Sequence, residues 1–321
     1  MMKSLLSSLT AASLLSIATP HLGAQGYPHQ AINVVIPLAP GDAADIACRT
    51  MAEELGKLLK VPVIVLNKPG AGGTLGTDSV VKAKKDGYTI VLTNNAALIY
   101  NRILTPESVA YDPFKDLTPL GLATRFPLLL IVRPDAPYKS FKEMVEFAKR
   151  NPGKVRVGTV GAGSVGHFTL EIINSITGAG LTMVPFKGAA PGVTALLGGH
   201  VEGGLLALGT LISHMKSGAM KGILASNKIP EYAEIPTLPQ LGYRQNLFGV
   251  WLAFFAPGGV PAEVPKALVP AIEKVVKDPG VVSKLAGLGM VQDYVPPEKL
   301  LSEIREEYRT VEEIAKKAGL K

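Results

Sequence analysis

Residues 32–45 read Ile32-Asn-Val-Val-Ile-Pro-Leu-Ala-Pro-Gly-Asp-Ala-Ala-Asp45. Residues 32–37 are a short run rich in β-branched and apolar side chains and closed by proline, the pattern of a buried strand. From Asp45 to residue 59, apolar Ile46, Leu55, Leu58 and Leu59 recur at helical spacing. The link between them, Pro40-Gly-Asp-Ala-Ala-Asp45, is a tight glycine turn. Strand, glycine turn, helix is the repeating unit of an α/β protein, and the same order recurs outward from this stretch. Further strands are predicted at 63–66, 88–93, 128–132, 155–159, 181–184, 220–225 and 249–255. Helices are predicted at 74–84, from the capping box Ser140-Phe-Lys-Glu143 to residue 150, after Ser164, at 264–277 and at 297–318. Such alternation predicts mostly parallel sheets flanked by helices.

Two interruptions divide the series. Pro106, Pro113, Pro119, Pro127, Pro134 and Pro137 punctuate one stretch, and Pro230, Pro236 and Pro239 another. Two separated breaks imply that the chain crosses between lobes twice. One lobe is then discontinuous, residues 27–126 with 247–321, and the other is 127–246. The length of 321 residues suits two such units.

Composition narrows the chemistry. Apolar residues make up 47% and charged residues 18%, so a large core can form and disorder is not expected. One cysteine excludes a disulfide framework and a multi-cysteine metal site. The five histidines form no HExxH, and no metal site is expected. A net charge of +7 is spread without a basic run interleaved with aromatics, which argues against nucleic acid and modestly favours small anions. Residues 1–24 carry Lys3, an apolar stretch, Pro20 and then Leu22-Gly23-Ala24, the layout of a secretory signal peptide. Cys48 lies too far downstream for lipid attachment, so the exported chain is expected to be free in the periplasm rather than tethered.

Four glycine-rich turns follow predicted strands: 40–45, 68–73 (Lys-Pro-Gly-Ala-Gly-Gly), 161–166 (Gly-Ala-Gly-Ser-Val-Gly) and 186–192 (Phe-Lys-Gly-Ala-Ala-Pro-Gly). In open α/β sheets ligands bind beyond the carboxyl ends of strands. A helix starting there presents unpaired N–H groups and the positive end of its dipole, which suits a small carboxylate. Gly161, Gly163 and Gly166 also spell G-x-G-x-x-G, but the region where a ribose-binding acid belongs reads Val184-Pro-Phe-Lys187. No cofactor is expected. A serine-hydrolase reading rests on Ser164 and His167, yet Ala162 stands where a nucleophile elbow needs glycine. Cys48 reads as a small buried side chain and Trp251 as core or cleft wall.

At these motifs the sequence resembles the Bug-type extracytoplasmic solute-binding receptors of tripartite tricarboxylate transporters. The resemblance runs through Tyr27-Pro28, residues 34–41 (Val-Val-Ile-Pro-Leu-Ala-Pro-Gly), Asp45, Arg49 and residues 67–73 (Asn-Lys-Pro-Gly-Ala-Gly-Gly) with Gly76. It continues through residues 86–89 (Asp-Gly-Tyr-Thr), residues 111–113 (Tyr-Asp-Pro) with Asp116, Gly161-x-Gly-Ser164 with His167, residues 186–188 (Phe-Lys-Gly), Pro236-Thr237, Trp251 and Ala256-Pro257. The resemblance implies a two-lobed type II periplasmic binding fold that closes on one small carboxylate and delivers it to membrane permease subunits. It implies no catalytic residues and no cofactor, and a monomer is the default. Carried onto this chain, the ligand-facing residues are Leu38, Ala39, Gly41, Asp42, Ala43 and Asp45 in the first loop, and Thr93 and Asn94 after the third strand. The second lobe supplies Thr159, Val160, Gly163, Ser164, His167 and Lys187. A ligand-presenting partner of a membrane sensor shares the same cleft and is the alternative.

Three departures from the family pattern matter. Asp42 stands where a second glycine is usual, Leu206 where many members have aspartate, and Val160 where a serine is common. Asp42 is read mainly as a helix cap. The other two make the cleft more apolar, so a monocarboxylate or aromatic carboxylate is expected rather than citrate.

Overall fold

The computed structural model describes residues 26–317 and 319, so the predicted signal peptide lies outside the described residues. In chain order the elements are β1 (Ile32–Ile36), α1 (Ala43–Leu59), β2 (Val63–Asn67), α2 (Thr74–Val81), β3 (Thr89–Asn94), α3 (Asn101–Leu104), β4 (Leu117–Phe126) and β5 (Leu128–Val132). Then come α4 (Phe141–Arg150), β6 (Arg156–Thr159), α5 (Val165–Thr177), β7 (Thr182–Pro185), α6 (Ala189–Leu197), β8 (Gly203–Ala207), α7 (Ile212–Lys216) and β9 (Lys221–Ala225). The chain closes with β10 (Val250–Pro257), α8 (Glu263–Val276), α9 (Pro279–Ala286), β11 (Val291–Val295) and α10 (Pro297–Lys317).

The strands form two sheets, ordered β11-β4-β10-β3-β1-β2 and β7-β6-β8-β5-β9. The first draws on strands before residue 127 and after residue 249. The second is built from the strands between them. The chain therefore passes between sheets at Pro127, directly between β4 and β5, and again between β9 and β10. This is the expected two-lobed α/β architecture. The sheets are mixed rather than mostly parallel. Only β2-β1-β3 and β7-β6-β8 run parallel, while β3-β10-β4-β11 and β8-β5-β9 are antiparallel. The reason is the crossing itself: a strand that enters or leaves a sheet at the boundary lacks the crossover helix that parallel pairing requires.

Helices α1, α8 and α9 cover one face of the first sheet through Ala47, Met51, Leu55, Leu268, Ile272 and Leu285. Helix α1 buries a stripe of small residues and leaves Ile46 outward, against the sequence reading. On the opposite face α2 and α10 join a core that runs into the second lobe, where Tyr100 stacks on Phe168 of α5 with centroids 4.9 Å apart. Among the described residues no helix is long and apolar enough to cross a membrane.

Candidate functional site: an interlobe cavity

Each of the four glycine turns leads from a strand into a helix, and all four meet at one cavity of about 630 Å³ between the sheets. The volume falls in the range of small-molecule sites. From the first lobe come Leu38, Ala39, Asp42, Gly70–Gly73 and Asn94, and from the second Val160, Ser164–Gly166 and Phe186–Ala189. The starts of α1, α2, α5 and α6 thus face a common space. Apolar Phe126, Leu128, Leu205, Leu206 and Val250 complete the wall, and among the described residues Asp42 and Lys187 are its only charged members.

At the start of α5, Ser164 is the N-cap. Its Oγ accepts the His167 N–H at 3.2 Å and donates to the Gly161 carbonyl at 2.7 Å. The Ser164 N–H is taken by Gly161 as well. That leaves the N–H groups of Val165 and Gly166, which have no acceptor within the helix, beside the cavity. Gly166 lets this turn lie against β8, since a Cβ there would stand 2.9 Å from the Leu205 carbonyl oxygen. The start of α6 is capped by Gly188 with no side-chain acceptor, and Pro191 has no N–H to satisfy.

The start of α1 differs. Asp42 caps it, Oδ1 accepting the Ala44 N–H at 3.0 Å. Desolvation by the surrounding wall raises the Asp42 pKa, and the neighbouring Asp45 raises it further, against the lowering effect of the cap bond. Asp45 points away from the cavity. Its carboxylate takes the Gly41 N–H at 2.9 Å, Arg49 Nε at 3.1 Å and Asn67 Nδ2 at 2.8 Å. Burial raises its pKa, but these bonds prevail and hold it low. Asn67 Nδ2 also donates to the Leu38 carbonyl, so Asp45, Arg49 and Asn67 clamp the loop from below.

Of the residues the resemblance assigns to ligand, Leu38, Ala39, Asp42, Asn94, Val160, Ser164 and Lys187 line the cavity; Gly41, Ala43, Asp45, Thr93, Thr159, Gly163 and His167 do not. The reasons are local. Gly41 and Asp45 bond each other, and Ala43 is packed in the core. The Thr93 hydroxyl pairs with Thr77 at 2.7 Å, and Thr159 Oγ1 accepts the Gly161 N–H. The Gly163 N–H donates to His167 Nδ1 at 3.1 Å, so no Ser164–His167 bond of a hydrolase forms. Burial lowers the His167 pKa, with Glu171 partly opposing it, which keeps that nitrogen an acceptor. Gly163 has φ +74° and Gly72 φ +60°, and the two loops touch across the cleft. A Cβ on Gly72 would run into the Gly163 carbonyl, and one on Gly163 into the Asn101 amide.

Sequence reasoning missed the strand-end residues Phe126, Leu128, Leu205 and Val250 as cavity wall, whereas the loop Gly70–Gly73, one of the four glycine turns it placed at the cleft, does line it. The rule that ligands sit beyond strand ends could have found them. It also missed Glu307 of α10, whose carboxylate accepts Trp251 Nε1 at 2.7 Å, the Tyr100 hydroxyl at 2.7 Å and Asn95 Nδ2 at 3.1 Å. Asn95 donates in turn to the Gly249 carbonyl, tying this network to the second crossing.

Residues 47–320 match the family described as Tripartite tricarboxylate transporter family receptor. The chain belongs to this family. The tripartite tricarboxylate receptors are solute-binding proteins rather than enzymes. Protein BugT of Bordetella pertussis is 30% identical to this receptor, over 95% of this chain and 94% of its own. Among solved structures, the periplasmic binding protein BugD is 30% identical, with a TM-score of 0.85 over 92% of this chain and 99% of its own. An R. palustris protein solved with adipate is 26% identical (TM-score 0.84; 91% and 98%). MatC from Rhodopseudomonas palustris, with bound malate, is 28% identical (TM-score 0.83; 90% and 99%).

Proposed function

We propose that this receptor captures a small carboxylate in the interlobe cavity, in the periplasm, and hands it to the membrane subunits of a tripartite transporter. The observation that carries the reading is the convergence of four helix starts on one largely apolar cavity. Unpaired N–H groups and the positive ends of helix dipoles stabilise an anion there, at the neutrally capped starts of α5 and α6 above all. The apolar wall, with Leu206 and Val160 where polar residues are usual in the family, favours a ligand with an apolar body. Adipate and malate in two related structures belong to the same chemical class. The lobes, 27–126 with 247–321 and 127–246, close about the two crossings. A ligand drives that closure only through better contacts in the closed form. The test is equilibrium binding of purified protein to citrate, C4 dicarboxylates, acidic amino acids, aromatic acids and short monocarboxylates. Micromolar binding of one group with no turnover of esters or amides is expected. Hydrolysis, or no binding by any acid, contradicts the reading.

A further inference from the structure

The two walls of the cavity carry opposite electrical character. On the first-lobe side Asp42 lines the space, and only its Oδ1 is used, by the Ala44 N–H. Oδ2 has no hydrogen-bond partner among the described residues. When ionised, this carboxylate at a helix start more than cancels the roughly +0.5 charge of the dipole. That wall therefore repels a carboxylate and attracts a donor. Asn94 lines the same wall and makes its Oδ1 an acceptor for the Ala97 N–H, while its Nδ2 donates to no described residue. On the second-lobe side the caps of α5 and α6 are neutral, Ser164 and Gly188. Lys187 stands beside them, exposed and without an ion pair among the described residues. Of the two residues that line the cavity with formal charge, one stands at each wall.

Resting on the carboxylate-receptor reading, we infer that the ligand is polar at both ends but anionic at only one. Its carboxylate lies against the α5 and α6 starts and Lys187, and its far end presents a hydrogen-bond donor (ammonium, carboxamide or hydroxyl) to Asp42. Asp42 is then a specificity-determining residue that excludes dicarboxylates from this receptor. A carboxamide or hydroxyl suits the wall best, since Asp42 accepts and Asn94 can donate.

The experiment compares acids of equal length that differ only at the far end: glutarate, its monoamide glutaramate, 5-hydroxypentanoate and 5-aminopentanoate, with terephthalate against its monoamide 4-carbamoylbenzoate as the aromatic pair. Calorimetric titration of the purified protein is expected to show at least about tenfold tighter binding of a donor-ended acid than of its matched dicarboxylate. Asp42→Asn keeps a side chain that caps equally well, so the fold is retained, and it should collapse that ratio by about tenfold or more. Two results overturn the inference while leaving a carboxylate receptor standing: dicarboxylates binding as tightly as their donor-ended partners, or a ratio unchanged in Asp42→Asn. Absence of binding by every acid instead removes the receptor reading itself, and the inference with it.

Discussion

Ser164→Ala separates two roles that the sequence could not. Read from sequence, the hydroxyl meets the ligand. In the structure the residue is 3% exposed and the hydroxyl is occupied by the cap bond from His167 and by its donation to Gly161. Loss of an N-cap costs about 1 kcal/mol, and the second bond contributes about 1 kcal/mol more. The total of about 2 kcal/mol corresponds to a midpoint lower by about 3 °C for a chain of about 300 residues. Ser164→Asp sharpens the test, because aspartate caps as well as serine. It should recover about half of the lost midpoint, since a carboxylate caps but cannot donate to the Gly161 carbonyl, and it places a second negative charge beside the Val165 and Gly166 N–H groups. At 4 Å and an effective dielectric constant near 20, that repulsion is about 4 kcal/mol, so carboxylate affinity should fall by at least about tenfold. Thermal unfolding by circular dichroism reads the first effect and calorimetric titration the second. An alanine variant that melts within about 1 °C of the wild type, yet loses about thirtyfold in affinity, would put the hydroxyl on the ligand and refute the cap argument.

Three further outcomes follow from other parts of the molecule. Glu307→Ala leaves the Trp251, Tyr100 and Asn95 donors without their carboxylate; since Glu307 is itself half-exposed, a loss of about 2 kcal/mol is expected, read by denaturant unfolding through Trp251, the sole tryptophan. An unchanged midpoint would remove this network from the stability of the crossing. His167 has a folded pKa below its ordinary 6.5, so the unfolded chain binds the proton more readily and stability drops as the pH falls through 6.5 towards the folded value. The wild type should therefore melt earlier at pH 5.5 than at pH 7.5 by a margin that shrinks in His167→Asn, and equal margins in the two proteins would contradict it. Lys187→Gln should weaken all carboxylates alike, by about two- to fivefold as for an exposed charge, with the difference fading at high salt. A loss confined to one acid would mean that Lys187 does not serve the shared carboxylate end.

What could be read from sequence is what periodicity and turn chemistry record. β1, β2, β3, β5 and β9 carry short, mostly apolar runs, and α4 and α5 are opened by Ser140 and Ser164, whose hydroxyls do cap them. The four glycine turns were found because each must turn tightly between a strand and a helix. β4 was not found, since Pro119 and Gly121 break its run; in the sheet both positions are accommodated at irregular register opposite β10. β8 begins with Gly203-Gly204, and β11 reads Val-Gln-Asp-Tyr-Val with mixed burial at a sheet edge, so neither shows a clean alternation. The π-helical turn Ala96–Tyr100 has no period of its own to betray it. In the site, backbone loops were legible and side-chain direction was not. Asp42 and Asp45 lie three residues apart at one helix start, the cap and the first turn of α1, yet one faces the cavity and the other is drawn under it by Arg49 and Asn67. Glu307 could not be told from the solvated acids around it on α10, because its role depends on the distant Trp251 and Tyr100.

The central claim is that a carboxylate is held between the lobes at the second-lobe helix starts. A crystal structure of the protein with the tightest-binding acid of the panel tests it most directly. Carboxylate oxygens within hydrogen-bond distance of the Val165 or Gly166 N–H, with glycine loops of both lobes against the ligand, is the predicted result. A carboxylate seated against Asp42, or bound outside the cavity, would contradict it.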